Sequence, residues 1–86
     1  MRQIFQDALD ELDRARRKFP SSDICVTAFS EEAGEMVRAV LQHYAGVGSL
    51  ADVRKEAVQV IAMVLRVLYE GDAVHRLPPI DEEEIG

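Results

Sequence analysis

Five residues carry most of the chemistry this sequence offers: Glu31, Glu32, Glu35, Glu56 and Gln59. All five lie in strongly apolar, helix-periodic segments, where an unpartnered carboxylate is costly to take out of water. Glu32 and Glu35 are three residues apart, as are Glu56 and Gln59, so one helical turn presents each pair to the same side. Two such helices packed together would gather Glu32, Glu35, Glu56 and Gln59 into one oxygen-rich pocket. A pocket of that kind suits a hard divalent cation, Mg²⁺ above all, with Mn²⁺ as a substitute. Glu31 lies roughly 100° round the helix from Glu32, toward the opening of the pocket, where it could serve as general base or as an outer support for the ligands.

One Glu-x-x-Glu pair on a helix is ordinarily solvated surface. Here the motif repeats. Sliding the chain by 24 positions lays Glu32 on Glu56 and Glu35 on Gln59. The same shift lays Phe29 on Val53, Ala33 on Ala57, Met36 on Val60, Val37 on Ile61, Val40 on Val64 and Leu41 on Leu65. At 100° per residue these apolar positions cover about 140° of each helix, the width of a core-facing stripe. The polar pairs lie along one edge of it. At an edge a carboxylate stays ionised yet is held, whereas a buried, unpaired one would protonate.

A carboxylate cluster loaded with Mg²⁺ suits hydrolysis of phosphate esters or phosphoanhydrides, because the cation offsets substrate charge and acidifies a bound water. Among the cations, Arg66 stands two turns after Gln59 on nearly the same face and is the expected phosphate contact. Arg54 and Lys55 read as solvated, and Arg38 is spaced to pair with Glu31 or Glu35. His43 and His75 have no metal-ligand spacing with each other or with a cysteine. Phe5, Phe19 and Tyr44 read as core by position, with one of them available to stack on a base.

Three helices must position these groups. Residues 2 to about 18 form an amphipathic helix with Ile4, Phe5, Ala8, Leu9, Leu12, Ala15 and Phe19 on one face, and Arg16, Arg17 and Lys18 at the end where cations complement the dipole. Pro20-Ser21-Ser22-Asp23 breaks the chain and offers caps for a second helix that starts between Ser22 and Ser30 and runs through Tyr44. After Gly46-Val47-Gly48, Ser49 or Asp52 caps a third helix that continues to about Glu70 and stops at Gly71. Leu77-Pro78-Pro79-Ile80 reads as extended and Asp81 to Gly86 as an acidic, mobile tail. The fold class is all-α, with three amphipathic helices per chain completed into a bundle by oligomerisation. At 86 residues one small domain has too little core to cover all its apolar positions, so a homodimer or homotetramer is expected.

Acidic residues outnumber basic ones 16 to 10, for a formal net charge of −6, which argues against duplex nucleic acid as a partner. Single Cys25 excludes an internal disulfide and reads as a buried structural thiol in a reducing compartment. The N-terminal residues lack the apolar core of a secretory signal, and the longest apolar run, Val60 to Leu65, is too short for a bilayer. No membrane association and a cytoplasmic location are expected.

Glu31-Glu32-Ala33-Gly34-Glu35, followed by Glu56-Ala57-Val58-Gln59, resembles the MazG-like nucleoside triphosphate pyrophosphohydrolases, whose pattern is Glu-Glu-x-x-Glu, a spacer, then Glu-x-x-Asp. The resemblance spans roughly residues 25 to 70. It implies an all-α fold over residues 1–72, with residues 73–86 as the tail. The implied reaction is Mg²⁺-dependent hydrolysis of a (deoxy)nucleoside triphosphate to the monophosphate and pyrophosphate. Glu32, Glu35 and Glu56 would be metal ligands, with Gln59 in the fourth position. That last position departs from the pattern: an amide oxygen can coordinate Mg²⁺ but brings no charge. It leaves open weaker metal binding, a hydrogen-bonding role, or a catalytically degenerate helical dimer that acts as a binding or regulatory module. A di-iron site is disfavoured, because neither motif has the histidine of a Glu-x-x-His pair. Family members carry more helical sequence after the second motif, so completion of the site by a second subunit is expected.

Overall fold

The structure, a computed structural model, describes residues 1–21 and 25–80, with Cys25 described by its backbone. Among these residues it is all-helical: α1 (Arg2–Lys18), α2 (Cys25–Tyr44) and α3 (Leu50–Glu70). The expected roles of Ser22 and Asp23 as caps, of the Cys25 thiol and of the acidic tail from Asp81 fall outside the described residues.

Local sequence accounts for three of the helix ends. The last turn of α1 carries Arg16, Arg17 and Lys18, opposite in sign to the exposed carbonyls there. At the start of α3, Ser49 Oγ accepts from the Asp52 amide (3.1 Å) and Asp52 Oδ2 accepts from the Ser49 amide (3.3 Å). This reciprocal cap satisfies two of the donors that a helix start leaves open. Gly71 ends α3 with φ of +71°, and a Cβ there would run into the backbone of Leu77, Pro78 and Pro79. Only glycine fits.

α3 is the central element. It packs against α1 and against α2, while α1 and α2 do not pack on each other. α1 runs in the same sense as α3: Asp7 pairs with Arg54 (2.8 Å), and Arg16 approaches Glu70 (3.8 Å). α2 runs in the opposite sense, so its N-terminus lies near the end of α3. The apolar core is small, made of Ala8, Leu12, Ala39, Val58, Ala62 and Met63.

That core corrects two expectations. Phe5, Phe19 and Tyr44 are not core residues; they are 54 %, 59 % and 90 % exposed. The apolar face of α1 is wider than the single helix covering it, so only its centre, Ala8 and Leu12, is sealed. The deepest face of α3 is Val58, Ala62, Met63 and Arg66 rather than the 24-residue repeat stripe, because both flanking helices shield it. Val37, Val40 and Leu41 on α2 and Val64 on α3, all members of that stripe, are exposed.

After Gly71 the chain turns back on the helices. Asp72 and Leu77 form an isolated antiparallel bridge (2.8 and 3.0 Å), and the Ile80 amide donates to Leu68 O (2.7 Å). Asp72 is only 1 % exposed. Its carboxylate accepts from the Val26 amide (2.7 Å), the His75 amide (2.9 Å) and, at 2.9 Å, lies against His75 Nδ1. The bond to Val26 caps the first turn of α2 from a residue distant in sequence. Burial alone would push the Asp72 carboxyl up, but these hydrogen bonds and the nearby imidazole outweigh it and hold the group below its ordinary value.

Candidate metal centre and its cleft

The two acidic motifs face each other across the α2–α3 interface. Carboxylate oxygens of Glu32, Glu35 and Glu56 all lie within 4.8 Å of one another. The antiparallel packing of α2 on α3 produces this, since it sets the middle of α2 against the first half of α3. Glu32 and Glu56 are half-buried at the seam and Glu35 is exposed at its rim. Edge placement, as read from the helical wheel, is where the groups stand.

Gln59 joins the cluster. With its nitrogen toward the carboxylates, the amide donates to Glu32 Oε2 (2.9 Å) and Glu56 Oε2 (3.1 Å). The reverse orientation would set its oxygen against two anionic oxygens, so the network fixes which way the amide points. Gln59 thus spans both helices and ties one carboxylate of each.

Crowding of like charges shows in the proton affinities. Burial, and then the charges of Glu35, Glu56, Glu11 and Glu31, push the Glu32 carboxyl above its ordinary value. Burial and then the neighbouring Glu35 push Glu56 up in the same sense, against a smaller opposing pull from Lys55. Three convergent oxygen donors under mutual repulsion are the donor set that a hard divalent cation would relieve. The residues fit such an ion.

A cleft of about 590 Å³ opens beside the cluster, between α1 and α2 with α3 as its floor. It exists because α1 and α2 each pack on α3 and not on one another. Glu31, Glu32 and Gln59 line one end. Ala15, Ala28, Ala62 and Met63 supply an apolar middle, and Arg14, Lys18 and Phe19 come from α1 and the residue after it. Glu31 is exposed on this side, one residue before the cluster, as the wheel placed it.

Arg66 stands elsewhere in the chemistry than expected. It is 3 % exposed, and its guanidinium donates to the backbone oxygens of Ala15 (3.4 Å), Phe19 and Ser21 (3.1 Å) and to Glu70 Oε2 (2.6 Å). Its donors are turned to holding the end of α1 and the following turn, not to an open phosphate site. Two turns along the helix does put Arg66 beside the cleft; it is the chain end of α1, invisible in the local sequence, that takes the guanidinium. Arg14 and Lys18, absent from the sequence-based site, are the cations on the open wall. Their i, i+4 spacing on α1, in line with Glu11, is the signal that could have marked them. Arg54 pairs with Asp7, and Arg38 pairs with neither Glu31 nor Glu35. Among the described residues no helix is long and apolar enough to cross a membrane.

Comparison of the chain with family models, with curated proteins and with solved structures found no match in any of the three.

Proposed function

We propose that this chain is a Mg²⁺-dependent hydrolase that converts a (deoxy)nucleoside triphosphate to the monophosphate and pyrophosphate. The observation that supports it is the convergence of Glu32, Glu35 and Glu56 within 4.8 Å, in the pattern that resembles the MazG-like enzymes, beside a cleft of nucleotide size. Glu32, Glu35 and Glu56 would hold the cation, Mg²⁺ or in its place Mn²⁺. When bound there, the ion would offset polyphosphate charge and acidify a water. Glu31, on the cleft side of the cluster, accepts the proton of the attacking water. Arg14 takes the phosphate-facing role first given to Arg66, since it is the cation on the open wall that also stands beside Gln59. The enzyme works in the cytoplasm as a homodimer or homotetramer in which a second copy covers Val37, Val40, Leu41 and Tyr44 on α2.

A second reading has its own observation. The Gln59 amide already bridges Glu32 and Glu56, a neutral tie across the place a cation would take. That favours a catalytically degenerate helical module with a binding or regulatory role. To coordinate an ion through oxygen, the Gln59 amide must rotate by half a turn and give up both bonds.

Pyrophosphate release from a panel of NTPs and dNTPs, with Mg²⁺, with Mn²⁺ and with EDTA, tests the enzyme reading. Metal-dependent release that is lost in Glu35→Gln is expected. Gln59→Asp should tighten Mg²⁺ binding by on the order of tenfold, because it adds a charged ligand, and should keep or raise turnover. No release from any nucleotide by wild type or Gln59→Asp would leave the degenerate reading in its place.

A further inference from the structure

The cleft has two chemically different ends. At the Gln59 end stand Glu31 and Glu32; at the Arg66 end stand Phe19, Pro20 and Ser21. The seven residue-to-residue steps of α3 from Gln59 to Arg66 set the distance between the ends at about 10 Å, comparable to a nucleoside from its ring to its 5′ oxygen. Between the ends the walls are small and apolar, Ala15, Ala28 and Ala62, with Met63 as the one large side chain. Small residues on three helices leave a slot that is open to a flat group.

Phe19 is the aromatic residue of this cleft, and it is more than half exposed. Exposing a phenyl ring costs free energy that burial elsewhere would recover. Yet the structure holds it in place: the Phe19 amide donates to Ala15 O (2.8 Å), and buried Arg66 takes the carbonyls of Ala15, Phe19 and Ser21 on either side. The Lys18 ammonium lies 5.4 Å from the ring centroid, over one face. A fixed, exposed ring with a cation on one face and an apolar slot beside it is a stacking platform.

We infer that the Phe19 end of the cleft binds the aromatic base of a nucleoside 5′-phosphate, with Phe19 as the stacking residue and Arg66 as the residue that positions it. The inference deepens the nucleotide reading above and rests on it for the direction of binding: phosphates toward Glu32 and Gln59, ring toward Phe19. Arg66, far from meeting phosphates, acts through the backbone of Phe19.

Binding of nucleoside 5′-monophosphates and of ribose 5-phosphate, both with Mg²⁺ present and measured by ¹⁵N chemical-shift titration on the full chain, separates ring recognition from phosphate recognition. Wild type should bind at least one nucleoside monophosphate about tenfold or more tighter than ribose 5-phosphate, the size expected for one base–aromatic stack. Shifts should centre on Ala15, Phe19, Ala28 and Ala62. Phe19→Ala should erase the difference and Phe19→Tyr should keep it, with helix content by circular dichroism unchanged in both. Equal binding of the two ligands by wild type, or a difference that survives Phe19→Ala, overturns the base subsite. Those results are distinct from failure of the enzyme reading: ring-dependent binding with no metal-dependent turnover would overturn the hydrolase and leave the subsite standing.

Discussion

Glu32, Glu35 and Glu56 are held where they repel one another, and the fold tolerates this because the groups sit at a helix seam rather than in the core. For Glu32 and Glu56, proton affinity is higher in the folded chain than in the unfolded one, whose ordinary value is 4.5. Stability from these two groups is therefore lost as pH rises past that value and through the raised folded ones. Replacing one charge should show it. Glu32→Gln removes a carboxylate repelled by four others but keeps an oxygen for the Gln59 amide. Its metal-free Tm at neutral pH should rise by roughly 2–4 °C, from about 0.5 kcal/mol of relieved like-charge repulsion. Under the metal reading, wild type should gain Tm with Mg²⁺ through selective binding to the folded state, and this variant should not. A differential scanning measurement with and without Mg²⁺ checks both; an unchanged or lower metal-free Tm would argue that repulsion in the cluster is negligible.

At the scale of elements, α3 does three jobs with three faces. One face seals Val58, Ala62 and Met63, one edge brings Glu56 and Gln59 to α2, and its last turns place Arg66 under the end of α1. Helical periodicity was sufficient to find α3, and its residues gave the stop at Gly71 and a cap at Ser49 or Asp52, of which the structure uses Ser49 as the cap with Asp52 as its partner. It was insufficient to assign Arg66, because the wheel reports which residues share a face but not which carbonyls of another helix wait opposite. Arg66→Lys keeps the charge but loses the planar fork that reaches several carbonyls at once. It should lower stability by about 1–3 kcal/mol, since buried acceptors around Ala15, Phe19 and Ser21 lose their donor. The urea midpoint would register this, and a change within error would mean that Arg66 is not the latch for α1. Asp72 is the comparable case on α2, a cap supplied from 46 positions away. Its carboxyl lies below its ordinary value of 3.8, so it contributes stability that is present above that pH and lost as pH falls through the folded value. Asp72→Asn should lower Tm by several degrees at neutral pH, and the loss of stability on acidification should be shallower than in wild type. Parallel acid titrations of the two proteins would reveal an Asp72 without structural weight if the curves coincide.

For the whole molecule, the arrangement of two helices flanking a third leaves much apolar surface open. Val37, Val40, Leu41 and Tyr44 on α2, with Val64 and Leu68 on α3, are all exposed. Under the oligomeric reading, Leu41→Glu should shift wild-type oligomers to monomer in sedimentation equilibrium, because it places a charge in the face a second copy covers. A wild type that is monomeric at high concentration would remove the second subunit from the proposal. The same openness creates the cleft: had α1 packed on α2, no space would lie beside Glu31 and Glu32.

What the amino-acid sequence determined alone is what depends on neighbours within a turn or two. The three helices, the reciprocal cap of Ser49 and Asp52, the glycine stop and the pairing of carboxylates at i, i+3 are set by local hydrogen bonding and a fixed rise per residue. That each polar pair shares one side of its helix was also legible, but the register that sets Glu32 and Glu35 of α2 against Glu56 of α3 is a product of the packing, since sliding one helix along the other would separate them. Only the tertiary structure decided the rest. It put Phe19 at the mouth of a cleft rather than in the core, spent Arg66 on backbone oxygens, and made Asp72 the cap of a helix far away in sequence. Each of these depends on where one helix ends relative to another, a distance that no periodicity within a single segment encodes.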